Sequence, residues 1–375
     1  MPRSDAGRLV LYQHGRRCLL QTAPMTGRRH HYLPRFLQRP FAFLRKGKNF
    51  YVHAHHKTHG TYGTNVMEIG QELDFYGGPE EGSLDDAITD GEKQLALTVN
   101  RLNANEQVEA IHMATLLSAL SIRTKAMRNA FADMMPPLII TARTRLLNGK
   151  RLQSELRESL RDPKKRRNLI YEQIRKDYGH FDREQQAKLY GKMIPKWDIF
   201  VQENEENLIR EMRSIIHHLT ETMEHEAKKI AEKAFLAALT KDPESLVRAQ
   251  RIAEELTFEI FETPPGEHLI LGDCGPAAIF TDGKPRLVLG AIEEGVEIDM
   301  IFLPVSPNRC LIGRRASHTK NLGSSDFNKI SASLSHEFFI SDQGDIDNLA
   351  NLRQTIGSLA PIATEEEIYQ LIAAD

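Results

Sequence analysis

The sequence is poor in several features that usually identify a protein quickly. It has three cysteines, Cys18, Cys274 and Cys310, odd in number and widely spaced. That excludes a disulfide framework and a CxxC zinc knuckle, and a reducing cytoplasm is the compartment such sparing use fits. No stretch approaches the ~18 apolar residues of a membrane span. The strongest run, Met300-Ile301-Phe302-Leu303-Pro304-Val305, is short and holds a proline. The amino terminus lacks the continuous apolar core of a secretory signal, because Gln13, His14, Arg16 and Arg17 interrupt Val10, Leu11, Leu19 and Leu20. Charge of one sign is not in excess overall, with 49 basic and 51 acidic residues. There is no Walker loop, dinucleotide glycine fingerprint, His-Glu-x-x-His or kinase set, so the cofactor is left unknown. Internal repeats and low-complexity tracts are missing too.

What is present is an ordinary globular composition over 375 residues, 41% hydrophobic and 27% charged, long enough for one to three domains at roughly 150 residues each. The charge is uneven. Through His59 there are twelve Lys/Arg and one acid, Asp5, interleaved with Tyr32, Phe36, Phe41, Phe43, Phe50 and Tyr51. Cations with aromatics suit phosphate contact and base stacking, which makes nucleic acid or a nucleotide the candidate partner. The bland alternative is inward-packed aromatics and solvated cations, or docking on the chain's own acidic remainder.

Residues 1–27 show no period and read as a loose extension, with Met25 an equally suitable start. Residues 30–45 predict a short strand or turn and a short helix. Asn49 to Ala54 alternates like a strand, His53, His55, His56 and His59 fall in a polar loop, and Tyr62 to Phe75 returns as a second strand. From about 84 to 258 the pattern is helical. Ala110 to Phe131 predicts one apolar helix broken at Pro136-Pro137, and Asn204 to Leu239 another long one. Asp162-Pro163 and Asp242-Pro243 are helix starts, Asp capping and Pro suiting the first helical position. After Phe258 short strands alternate with Gly, Pro and Asp turns. A helix follows near Phe327 to Ser335, a strand near Phe338 to Ile340, a helix from Asp345 and a capping box at Thr364 and Glu367. The fold class is therefore α+β: a single domain over 28–345, followed by carboxy-terminal helices over 346–375. Strands at both ends bracket the long helical middle and gain most by joining one sheet.

Four motifs could carry chemistry. In His31-Tyr32-Leu33-Pro34, proline fixes the backbone beside an imidazole, the usual proton carrier near neutral pH. A structural turn histidine is the alternative. Arg123-Thr124 lies on the apolar helix, where a guanidinium needs an anion or a structural salt bridge. In Gly272-Asp273-Cys274-Gly275-Pro276 an apolar strand ends in an acid held by a turn, which suits a catalytic or metal-binding carboxylate and equally a turn former. The fourth is Pro304-Val305-Ser306-Pro307, a strand entering a double-proline turn, with Asn328 on a following helix. Cys274 has no local thiolate signal, and Ser306 has no nucleophile-elbow context. The four histidines of 53–59 lack a completing ligand for zinc. His218, Glu221 and His225 lack a matching second helix. Lys164-Lys165-Arg166-Arg167 is ordinarily a solvated helix face.

In this order the motifs resemble the microbial domain of unknown function numbered 4238, whose hallmark is His-x-x-Pro. His31 to Pro34 matches it, and Arg35-Phe36-Leu37 and Phe41-Ala42 continue the likeness. Phe75-Tyr76 is similar to its aromatic pair. Arg123-Thr124 is similar to its Arg-Thr-Pro, with Lys125 in place of Pro. Gly272 to Pro276 is similar to its Ser-Asp-x-Pro, with Gly272 for Ser and one residue more before Pro276. Pro304 to Pro307 and Asn328 complete a likeness running from His30 to Ser341. The resemblance implies an identity and no activity.

The combined expectation is a cytoplasmic hydrolase acting on a phosphate-bearing substrate, nuclease-like or nucleotide-acting; a defence or toxin-like role fits such a set. His31 serves as acid or base, Asp273 as its orienter or a metal ligand, Arg123 as charge stabiliser, and Arg35 and Asn328 as substrate contacts. No metal site is assigned. The rival is a non-catalytic binding module whose motif residues are structural. The enzymatic expectation requires His31, Asp273 and Arg123 to share one cleft.

Overall fold

The computed structural model describes residues 29–76, 83–147, 150–240, 242–289, 295–318, 320–344 and 347–359. The extension over 1–27, the helix start at Asp345 and the capping box at Thr364 and Glu367 lie outside these.

At the amino-terminal end come β1 (Arg29–His31), α1 (Arg35–Gln38), β2 (Leu44–Lys46), β3 (Asn49–His56), β4 (Gly60–Asn65) and β5 (Gln71–Leu73). The helical middle consists of α2 (Ser83–Asn103), α3 (Ala110–Ile122), α4 (Lys125–Leu147), α5 (Lys150–Arg161), α6 (Pro163–Asp177), α7 (Arg183–His225), α8 (Ala227–Thr240) and α9 (Asp242–Glu255). Then follow β6 (Thr257–Glu262), β7 (Leu271–Gly272), β8 (Ala277–Phe280), β9 (Pro285–Leu287), β10 (Ile298–Ser306), β11 (Arg309–Arg314), α10 (Ser324–Leu334), β12 (Phe338–Ser341) and α11 (Asp347–Gln354). The fold is α+β, as the pattern predicts.

The two ends of the chain meet in one antiparallel sheet of order β2-β3-β12-β7, with β4 on the other edge of β3. Strand β3 is shared along its length: Asn49 to Tyr51 pair with β2, and His53 to His56 pair with β12. A second sheet, β6-β11-β10-β8-β9, is entirely carboxy-terminal, and β1 pairs with β5 apart from both. The unbroken apolar run of β10 follows from its place in the middle of that second sheet. Ile301, Leu303 and Val305 enter one core with α2, α3 and α9, while Met300 and Phe302 enter another with Met127 and Phe327. A strand covered on both faces needs no polar alternation, and each such side chain contributes roughly 1.5–3 kcal/mol on burial.

Several expectations are corrected here. His53, His55 and His56 stand on β3, not in a loop, because buried Val52 and Ala54 continue the alternation to the strand's end. Residues 62–75 form two strands, β4 and β5, with a turn between. The helix from Ala110 breaks at Arg123-Thr124, where the Thr124 hydroxyl accepts the Met127 N–H at 3.1 Å and starts α4. Pro136 and Pro137 lie inside α4 and do not end it. The helix expected over 204–239 is interrupted at Glu226, between α7 and α8. The strand before the expected double-proline turn runs on through Pro304 to Ser306. Asp162 caps α6 by accepting from Lys165 N at 2.7 Å. Among the described residues no helix is long and apolar enough to cross a membrane.

Candidate functional site: the junction of the two chain ends

The residues singled out by sequence are each held by partners of their own. His31 ends β1 opposite Gln71. Its backbone carbonyl accepts the Tyr76 hydroxyl at 3.1 Å, while its buried Nδ1 has no hydrogen-bond partner among the described residues. Burial, then the Arg35 and His30 charges, lowers the ring to about 4, so it is neutral at physiological pH. Pro34 caps the start of α1, and the Arg35 guanidinium stands 2.8 Å from Met67 Sδ. Arg123 ends α3 and pairs with Glu92 at 3.4 Å. Asn328 bridges backbone, accepting from Ile270 N at 2.9 Å and donating to His268 O at 2.8 Å. Among the described residues no hydrogen bond or ion pair joins His31, Asp273, Arg123 and Asn328 to each other.

Asp273 is fully buried directly after β7. Its Oδ1 accepts from His336 N at 2.7 Å, and its Oδ2 from Glu337 N at 2.8 Å and Phe338 N at 3.2 Å. Burial pushes the carboxyl up to about 7, while the three N–H groups favour the anion. The acid thus ties β7 to the turn between α10 and β12. Its own loop packs on the α3–α4 break. Gly275 has φ +68°, and a Cβ there would stand 3.1 Å from Thr124 Cγ2. That left-handed backbone favours glycine.

These anchors bring together side chains that no sequence motif marked. Lys125, the first residue of α4, places its ammonium 2.9 Å from Glu337 Oε1 and 3.2 Å from Glu72 Oε2. Glu72 lies on β5 and also pairs with Arg128, whose guanidinium covers the Phe75 ring at 4.5 Å. Asn129 Nδ2 donates to His336 Nε2 at 2.9 Å, which leaves the proton of a neutral ring on Nδ1. Two carboxylates therefore share one ammonium, with an oriented imidazole beside them. Burial works against the charge of Lys125, but Glu337 and Glu72 outweigh it and raise its pKa. Burial likewise opposes the Glu72 anion, and Arg128 and Lys125 reverse that and lower it. Burial lowers His336, with Lys125 and Lys57 adding to it against Glu337. Tyr32, next to His31, is raised by burial and by the charges of Asp273, Glu337 and Glu72. Perturbed groups collected in one half-buried place are characteristic of functional sites.

The histidines of β3 are largely occupied. His55 Nε2 lies 2.9 Å from Ser341 Oγ, and its ring stacks on Phe339. His53 stacks on Phe43 at 3.9 Å. Among the described residues no three His, Cys, Asp or Glu side chains are grouped to hold a metal ion. The family model described as "Protein of unknown function (DUF4238)" matches residues 29–342. No curated protein and no solved structure matches the chain.

Proposed function

The chain belongs to the DUF4238 family, which carries no activity with it, and from the site itself we propose that it hydrolyses a phosphate-bearing substrate, a nucleic acid or nucleotide. The observation that carries this is Lys125 held between Glu72 and Glu337 beside an oriented, neutral His336. In this reading Glu337, through the carboxylate oxygen that is not on Lys125, takes the proton of the attacking water, the water oxygen bonds phosphorus, and the bond from phosphorus to the leaving oxygen breaks as that oxygen takes the proton from Glu337, while His336 offers its Nδ1–H to a phosphate oxygen. Arg128 and Lys125 balance the charge that develops. Asp273, Arg123 and Asn328 are positioning residues. Asp273 holds the 336–338 turn, Arg123 ends α3 so that α4 begins at Lys125, and Asn328 anchors α10. His31, neutral with a free Nδ1, is a second candidate base, and Arg35 is a candidate substrate cation. A cytoplasmic setting is supported by the buried free thiols of Cys274 and Cys310. Activity on cellular RNA or DNA is the form in which a defence or toxin-like role would show itself.

A second reading, binding without turnover, is favoured by one observation: Asp273 and Asn328 spend their side-chain polar atoms on backbone of their own fold. Labelled RNA, DNA and nucleotides incubated with and without Mg²⁺ or Mn²⁺ separate the two. Wild-type protein is expected to form product, and His336→Ala and Glu337→Gln to lose it by roughly 100-fold or more. No product from wild type, or equal product from all three proteins, removes the hydrolase reading.

A further inference from the structure

From residue 29 to residue 67 the chain contains no Asp or Glu. Elsewhere several buried or half-buried arginines find carboxylates, as Arg123, Arg143, Arg309 and Arg315 do. The β2–β3 hairpin, with the Arg39–Phe41 turn that leads into it, behaves differently. Among the described residues, no ion pair engages Arg39, Arg45, Lys46 or Lys48, and all four are exposed. Arg39 and Arg45 lie over the Phe50 ring at 5.5 and 5.1 Å. Phe43, 43% exposed, is stacked on His53 at 19° between ring planes. Strand β2 is the edge of its sheet. A charged edge protects a sheet from pairing with another chain, but that task needs one or two lysines and no exposed ring.

We propose that the β2–β3 hairpin is a docking surface for single-stranded nucleic acid, with Arg39, Arg45, Lys46 and Lys48 on the phosphates and the Phe43–His53 stack as a platform for a base. Charge complementarity selects an anionic polymer. The stacked ring pair selects one with exposed planar bases, which a duplex does not offer. The hairpin stands at the opposite end of β3 from His56, the residue paired with Phe338 beside the junction cluster. This inference therefore stands apart from the hydrolase reading, and binding is measured without turnover.

The test is fluorescence anisotropy of a short labelled single-stranded oligonucleotide at several salt concentrations. With four phosphate contacts and a slope of about −0.7 each, affinity is expected to fall about 50-fold from about 50 to about 200 mM salt. Lys46→Ala/Lys48→Ala is expected to halve that slope with unchanged melting, since neither lysine has an ion-pair partner among the described residues. Phe43→Ala is expected to weaken binding by about 5- to 150-fold with little change in slope. Lys188→Ala, an exposed change on α7, is expected to bind as wild type does. The inference is overturned if wild type does not bind the oligonucleotide, if the double lysine variant binds with an unchanged slope, or if duplex competes as well as single strand. Capture by anionic vesicles without oligonucleotide binding would overturn it too, and mark the hairpin as a lipid-binding element instead.

Discussion

Replacing Asp273 by Asn tests the division between the groups that position the site and the groups that react. The change keeps shape and removes one acceptor. In the wild-type protein Oδ1 takes the His336 N–H, while Oδ2 takes those of Glu337 and Phe338, all within 3.2 Å. The single carbonyl oxygen of the substituted amide can serve one of these sets. Turned to the pair, it leaves the His336 N–H facing an amide NH₂. An orphaned buried N–H costs about 1–3 kcal/mol, while the weaker acceptor at the other two is offset by relief of the desolvation that raises the carboxyl. The net loss is about 1–3 kcal/mol. For a unit of this size that is a fall in Tm of about 2–10 °C. Glu337→Gln is the control: its side chain is 36% exposed and its partner is Lys125, so it is expected to cost at most about 1 kcal/mol. Thermal and urea melting of the three proteins at neutral pH give the comparison. If Asp273→Asn melts with wild type, the carboxylate does not hold the turn, and its role as a positioning residue is wrong.

Two further outcomes follow from the same geometry. Burial holds His31 near 4 in the fold, against 6.5 for an exposed histidine. The unfolded chain binds the proton that the fold refuses, so stability falls as pH drops through 6.5 and levels off near 4, by roughly 3 kcal/mol in all. Urea titrations across that window should show a shallower slope for His31→Gln, and identical slopes would contradict the assignment. Gly272→Ser, which introduces the residue of the family pattern, should destabilise this chain. A Cβ there would stand 2.5 Å from Ser335 Oγ and 2.9 Å from both Cys274 Sγ and Ser331 O. Overpacking of that kind costs about 1–3 kcal/mol, and an unchanged melting curve would show that the neighbours yield.

Much of the fold was legible from local chemistry. The Asp162-Pro163 start, the strand over Ala277 to Phe280 and the apolar run of β10 lie where cap, turn and period predict. The break at Arg123-Thr124 was hidden because Ala110 to Phe131 is apolar on both sides of it. Only the capping hydroxyl of Thr124 marks it, and threonine is common inside helices. Pro136-Pro137 misled for the opposite reason: α4 packs against α7 and α8, and that packing holds it helical through both prolines. The candidate site was legible only as scaffold. Asp273, Arg123 and Asn328 were visible as motifs because turns and helix ends constrain residue type. Glu72, Lys125, His336 and Glu337 were not, since a half-exposed charged residue looks the same in sequence whether or not it has a partner.

The order of the residues settled most of the helices and strands but not every break in them, because caps, turns and hydrophobic periods act over a few neighbouring positions. It also settled that the amino-terminal end is basic and aromatic. Which charged groups face one another was decided by the tertiary structure alone. β5, the start of α4 and the turn after α10 are far apart along the chain, and their side chains meet only because β3 pairs with β12 and Asp273 fastens that turn in place.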